Sequence, residues 1–259
     1  MRPLIVRGRT LNPHGHALIC VPLVARTSAG VEAELAAVLP KKPDLIEWRV
    51  DFFEGIHDPA RVLAVARAMK LAAGSIPIMF TRRASHEGGE TIGIVEEAVV
   101  SLYEAVAASG MVDIIDYELS QSSENKARLR AASRSHGVSM ILSYHNFKTT
   151  PAVAELVGKI AEAEQQGADI AKVAVMPATP GDVLVLLEAT LAASAQVQIP
   201  IVTMSMGAVG AMSRLCGWMY GSVITYAVGQ SSSAPGQIPI DDLRAALNAV
   251  QHGGAGAGG

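Results

Sequence analysis

The chain has 259 residues, of which half are hydrophobic, 17 % charged and only 4 % aromatic. Twenty-one basic against 24 acidic residues give a net charge of −3 with no basic stripe, which argues against nucleic acid or an anionic membrane as partner. The two cysteines, Cys20 and Cys216, lie far apart in apolar sequence without CxxC spacing, so buried free thiols in a reducing compartment are expected rather than a zinc or redox motif. The N-terminus, MRPLIVRGRT, is too broken by arginine for a signal-peptide core. No run approaches the roughly 20 apolar residues of a membrane span, and a soluble, cytoplasmic protein is expected.

Residues 3–16, PLIVRGRTLNPHGH, read as a short hairpin turning at Asn12-Pro13-His14-Gly15. His14 and His16 lack a third metal ligand nearby and read as surface turn residues. Apolar, β-rich runs then recur at 17–23, 44–50, 76–81, 112–117, 138–144, 169–176, 198–204 and 222–228. Between them lie helical patterns rich in alanine, leucine and glutamate, at 31–39, 58–73, 91–109, 121–136, 151–166, 181–195, 208–219 and 240–251. Strict alternation of eight strands with eight helices predicts an α/β fold of the (β/α)8 barrel type, a single domain over 1–251. No GxGxxG follows the first strand, which counts against a doubly wound sheet. The hairpin is expected to close the bottom of the barrel. The glycine-rich tail, 252–259, is expected to be disordered.

A barrel gathers its chemistry at the C-terminal ends of the strands. The sixth strand, ADIAKVAVMP, carries Lys172 within an apolar run. A buried ammonium is costly, and a lysine that is neutral part of the time is a nucleophile for carbonyl carbon. The alternative is a strand-end lysine that snorkels to solvent or closes an ion pair. The second strand ends EWRVD, where Glu47 and Arg49 share the inward face while Trp48 and Val50 turn toward the helices. Arg83 and Glu87 follow the third strand in FTRRASHEGGE, with Gly88-Gly89 permitting a close turn. His145 sits at the tip of the fifth strand in SYHNF, a place for a proton carrier or for a strand-capping histidine. Met204 and Met206 end the seventh strand and wall the site, Arg214 lies two turns into the next helix, and the glycines between could instead cradle a phosphate. The loop 229–237, GQSSSAPGQ, is a lid candidate carrying Ser233, Ala234 and Gln237.

The stretches EWRVD, FTRRASHEGGE, SYHNF, ADIAKVAVMP, TMSMGAVGAMSRL and SSSAPGQ, in this order over nearly the whole chain, closely resemble the motifs of type I 3-dehydroquinate dehydratase. That family is the Schiff-base enzyme of the shikimate pathway. The resemblance implies a (β/α)8 barrel, a homodimer, and no metal or organic cofactor. Carried over by position, it makes Lys172 the Schiff-base lysine, His145 the acid and base, and Glu87 the carboxylate paired with it. Glu47, Arg49, Arg83, Arg214, Ser233 and Gln237 match substrate contacts, Arg214 on the substrate carboxylate, and Met204, Met206, Tyr226 and Ala234 line the pocket. Pro22 stands where some members have serine, so one contact near the ring should be missing. Tyr226 replaces a phenylalanine of some members. The implied reaction is syn dehydration of 3-dehydroquinate to 3-dehydroshikimate. The readings set against it are a class I Schiff-base aldolase and a catalytically silent, metabolite-binding barrel.

Overall fold

The computed structural model describes residues 1–253. Two short strands, β1 (Leu4–Val6) and β2 (Arg9–Leu11), pair antiparallel. Eight parallel strands follow, β3 (Leu18–Leu23), β4 (Leu45–Arg49), β5 (Ile78–Thr81), β6 (Ile114–Glu118), β7 (Ser139–Asn146), β8 (Ile170–Val175), β9 (Ile201–Ser205) and β10 (Ile224–Val228). They hydrogen-bond in sequence order from β3 to β9, with β10 beside β3. The ends meet through a parallel bridge between Ile201 and Ser222 and a bond from the Val223 N–H to the Ile201 carbonyl of 2.9 Å. That closure makes the barrel. A two-residue strand, β11 (Ile238–Pro239), extends the sheet beyond β10.

The helices are α1 (Ser28–Val38), α2 (Pro59–Ala73), α3 (Glu96–Ala108), α4 (Ser123–His136), α5 (Val153–Gln165), α6 (Pro180–Gln196), α7 (Ala211–Cys216) and α8 (Ile240–Gly253). Local sequence fixes several ends. Asp58 accepts the Ala60 and Arg61 N–H groups ahead of Pro59 in α2, and Thr179 with Asp182 forms a capping box ahead of Pro180 in α6. Gly137, at φ +67°, closes α4 in the left-handed conformation. The seventh helix is shorter than expected, because a 3-10 turn over Gly217–Tyr220 takes up its second half. The last helix outruns its expected end by two residues, to Gly253, and the remainder of the expected disordered tail, 254–259, lies outside the described residues.

Alternation along the strands sorts two cores. Trp48, Phe80, Tyr117, Leu142 and Val173 face outward to the helices. Leu45, Met79, Ile114, Ile141 and Ile170 face inward near the strand starts, where Val6 and Leu11 of the hairpin pack beneath them. The hairpin thus closes the bottom, but its turn is Arg7-Gly8, not residues 12–15. Both turn residues have positive φ, +46° and +79°, the geometry a two-residue hairpin needs. Asn12 to Gly15 forms a separate turn, closed by a 3.0 Å bond from the Gly15 N–H to the Asn12 carbonyl.

Three aspartates pin the strand starts. Asp44, Asp113 and Asp169 accept the N–H of Ile19, Ile78 and Met140 at 3.0, 2.9 and 2.9 Å. Each stands just before one strand and holds the beginning of its neighbour, which fixes the register between them. Two residues up from each apolar bottom position the inward row turns polar: Glu47, Thr81, Asp116, Ser143 and Lys172. The barrel is therefore oily below, and above that layer β4 to β8 turn charged and polar side chains inward while Met204 and Tyr226 keep the β9 and β10 side apolar, the whole opening on the C-terminal face.

Candidate active site

A cleft lined by charged, polar and apolar side chains opens at that face. Lys172, on β8, is 5 % exposed at its side chain. Its Nζ donates to Asp116 Oδ2 at 2.8 Å, stands 3.6 Å from Glu47 Oε1, and lies 4.7 Å from the centre of the Tyr226 ring. The ammonium is therefore not solitary, as the apolar run around it suggested. Its counter-ion comes from β6, two strands away.

Asp116 is itself held on every side. Oδ1 accepts from Arg83 Nη2 at 2.8 Å and from the Ser143 hydroxyl at 2.6 Å. Burial works to raise its pKa, but Arg83 and Lys172 outweigh burial and hold the carboxyl well below the usual range. Arg83 also reaches Glu118 at 3.1 Å and Ser143 at 2.7 Å. Two cations, Lys172 and Arg83, thus meet three buried carboxylates, Asp116, Glu118 and Glu47.

His145, at the tip of β7, meets Glu87 from the short 3-10 turn after β5 (Ser85–Glu87). Glu87 Oε2 lies 3.1 Å from the His145 backbone N–H and 3.0 Å from ring Nδ1. An oxygen already accepting the backbone proton accepts the ring proton too, so Nδ1 is the protonated nitrogen and Nε2 is left as a base. The other Glu87 oxygen accepts the Ser120 hydroxyl at 2.7 Å. Burial first, then Arg83 and Lys172, push the imidazole well below its ordinary pKa, so it is neutral near pH 7. Gly89 permits this turn: a Cβ there would lie 1.9 Å from the Arg83 carbonyl oxygen.

Arg49 forks onto Asp51 at 2.9 and 2.8 Å. Asp51 also accepts the N–H groups of Arg83 and Glu90, so it ties the β4 and β5 loops together. Across the cleft the loop 229–237 folds inward, with Gln237 bonded to the backbone and hydroxyl of Ser233, each at 3.1 Å. Arg214 is buried behind Met204. Its guanidinium donates to the Pro235 and Tyr226 carbonyls at 3.2 and 3.4 Å, while Nε has no partner. Among the described residues no carboxylate pairs with it, and burial brings it down to about 10.

A family model described as type I 3-dehydroquinase matches residues 19–253. The chain belongs to that family. A 3-dehydroquinate dehydratase of Albidiferax ferrireducens is 52 % identical over 250 residues, covering 96 % of this chain and 95 % of its own. The crystal structure of 3-dehydroquinate dehydratase from Geobacillus kaustophilus superposes with a TM-score of 0.95 at 46 % identity, covering 97 % of each chain. That of a type I 3-dehydroquinate dehydratase from Clostridium difficile, with covalently modified comenic acid, superposes at 0.93 and 36 %, covering 97 % of this chain and 99 % of that one. Belonging to the type I 3-dehydroquinases sets aside the aldolase and the silent barrel.

Within this type I 3-dehydroquinase chain, Lys172, His145, Glu87, Glu47, Arg49, Arg83, Met204, Met206, Tyr226, Ser233, Ala234 and Gln237 all line the one cleft. Arg214 does not, being set one layer back. Pro22 is buried in β3 beside Glu47 and offers no hydroxyl. Asp116 and Phe147 were not singled out from sequence. The inward row on which Asp116 lies, two after Ile114, was the available signal. His16 packs edge-on against Trp218, and among the described residues no group of three or more His, Cys, Asp or Glu side chains is placed to hold a metal ion. Cys20 is fully buried, whereas Cys216 is only half-buried, contrary to expectation. No described helix is long and apolar enough to cross a membrane.

Proposed function

We propose that the chain dehydrates 3-dehydroquinate to 3-dehydroshikimate, in the shikimate pathway, by syn elimination through an imine on Lys172. The observation that carries this reading is the meeting of Lys172 and a neutral, carboxylate-oriented His145 in one cleft. A ketone is a weak electron sink for the carbanion that the elimination needs. Its iminium is a strong one, because the positive nitrogen takes up the electron pair. His145 Nε2 removes the proton next to that carbon, and the imidazolium then protonates the departing hydroxyl on the same ring face. Glu87 fixes the tautomer and steadies the imidazolium between the two transfers. Water finally hydrolyses the imine.

Arg214 is a buried guanidinium with no carboxylate partner among the described residues, which suits it to the substrate carboxylate. Its bond to Pro235 couples that grip to the 229–237 loop, which would close over substrate with Ser233 and Gln237 as further contacts. Glu47, Arg49 and Arg83 face the ring hydroxyls, and Met204, Met206, Tyr226 and Ala234 wall it. Residues 1–251 act as one catalytic domain of a homodimer, without metal or organic cofactor. The experiment is to follow the ultraviolet absorbance of the conjugated enone as 3-dehydroquinate is consumed, before and after dialysis against EDTA. Turnover in both supports the reading. An inactive, folded protein contradicts the activity, and loss of activity to EDTA contradicts the metal-free chemistry.

A further inference from the structure

Asp116 has no part in the proton transfers, yet it is the group closest to the reacting nitrogen. We infer that it is a positioning residue that holds the Lys172 nitrogen in one place before and after imine formation, and serves as counter-ion to both states. The inference rests on the Schiff-base reading.

The stoichiometry explains why one carboxylate can do both. An ammonium and a ketone give an iminium and water: two of the three N–H hydrogens leave with the carbonyl oxygen, the C=N bond replaces C=O, and the single positive charge stays on nitrogen. The charge balance of the buried row is therefore the same at both ends, with Lys172 against Asp116 and Arg83 against Glu118. One N–H remains on the iminium. Of the two carboxylates beside Nζ, Asp116 is at 2.8 Å and Glu47 at 3.6 Å, and Glu47 Oε1 already accepts the Thr81 hydroxyl at 2.9 Å. The remaining hydrogen thus points to Asp116. Because the iminium is planar, fixing that one N–H direction fixes the plane of the substrate carbon and so the face turned to His145.

Asp116 is suited to this by being immobile. Its side chain is fully buried, and Ser143, on β7, donates to Oδ1 while accepting from Arg83. Lys172, Asp116 and Ser143 stand on three adjacent strands, β8, β6 and β7, and a rigid element sets an angle better than a loop.

The test compares wild type with Asp116→Asn, which keeps the shape and an acceptor oxygen but loses the charge. The readouts are kcat, KM and the fraction of Lys172 trapped by borohydride at saturating substrate. The expected result is a fall in kcat of about 100-fold, the size seen when one preorganised charge-stabilising group is removed, with KM nearly unchanged and less imine trapped. A merely structural residue would not separate kcat from KM. Unchanged kcat and trapping in Asp116→Asn, beside a wild type that traps, would overturn the inference alone. Wild type that takes up no substrate mass would overturn the imine reading and this inference with it. Where Asp116→Asn does not fold, Ser143→Ala frees the carboxylate without removing its charge. It should lower kcat several-fold at constant KM, and full activity in that variant would overturn the inference.

Discussion

Acid should charge His145 only well below the pH at which an ordinary histidine takes up a proton. In the fold, burial acts first to keep the ring neutral, and the nearby charges of Arg83 and Lys172 add to it. In the unfolded chain the same ring titrates near 6.5. Stability from this group is therefore fully present above pH 6.5 and is lost as pH falls, because only the unfolded state gains a proton there. Proton uptake by the unfolded ring alone, at pKa 6.5, sets an upper limit of about 1.4 kcal/mol on the loss between pH 7.5 and 5.5. His145→Asn removes the group from both states. Urea unfolding of the two proteins at pH 7.5 and 5.5 should show the wild type losing more stability than the variant over that interval, up to that limit. In the same way the acid limb of kcat/KM should lie below 6.5, since the base works while neutral. Equal pH dependence of stability in the two proteins, or an acid limb centred at 6.5 or above, would refute the account of this ring.

Two further outcomes follow from single contacts. Arg214→Ala removes a buried guanidinium that pairs with no carboxylate among the described residues, so KM for 3-dehydroquinate should rise about 10- to 100-fold, as for loss of a charge-assisted pair. Steady-state kinetics would show this, and an unchanged KM would place the substrate carboxylate elsewhere. Gly89→Ala sets a methyl against the Arg83 carbonyl, a backbone atom that cannot step aside. The variant should lose about 2 kcal/mol or more of stability and most of its activity together, and a variant that melts and turns over like wild type would show that the Glu87 turn is looser than described.

The barrel was legible because two periods alternate along the chain, two residues for strands and 3.6 for helices, and every strand boundary fell within a few residues of the expectation. The hairpin turn was misplaced for a physical reason. Asn-Pro-His-Gly is the stronger turn signal by composition, while Arg7-Gly8 works only because a two-residue loop needs two positive φ values. The cleft residues were legible where a strand ends in a polar side chain, as with Arg49 and His145. Asp116 was not, since it sits inside an apolar run and its meaning depends on partners from β7, β8 and the loop after β5. Arg214 was placed on the right element, but sequence spacing carries no depth, and the structure sets it behind Met204 rather than at the cleft wall. Pairings across strands are set by register, and register is written in contacts such as those of Asp44, Asp113 and Asp169 rather than in any local motif.

The proposed chemistry depends on a covalent bond to one lysine. Borohydride added during turnover of 3-dehydroquinate, followed by proteolysis and mass spectrometry, tests it directly. The peptide containing Lys172 should carry the substrate or product ring less its carbonyl oxygen, and Lys172→Met, though folded, should take up none. Active wild-type enzyme whose Lys172 stays unmodified after that treatment, or whose added mass maps to another residue, would contradict it.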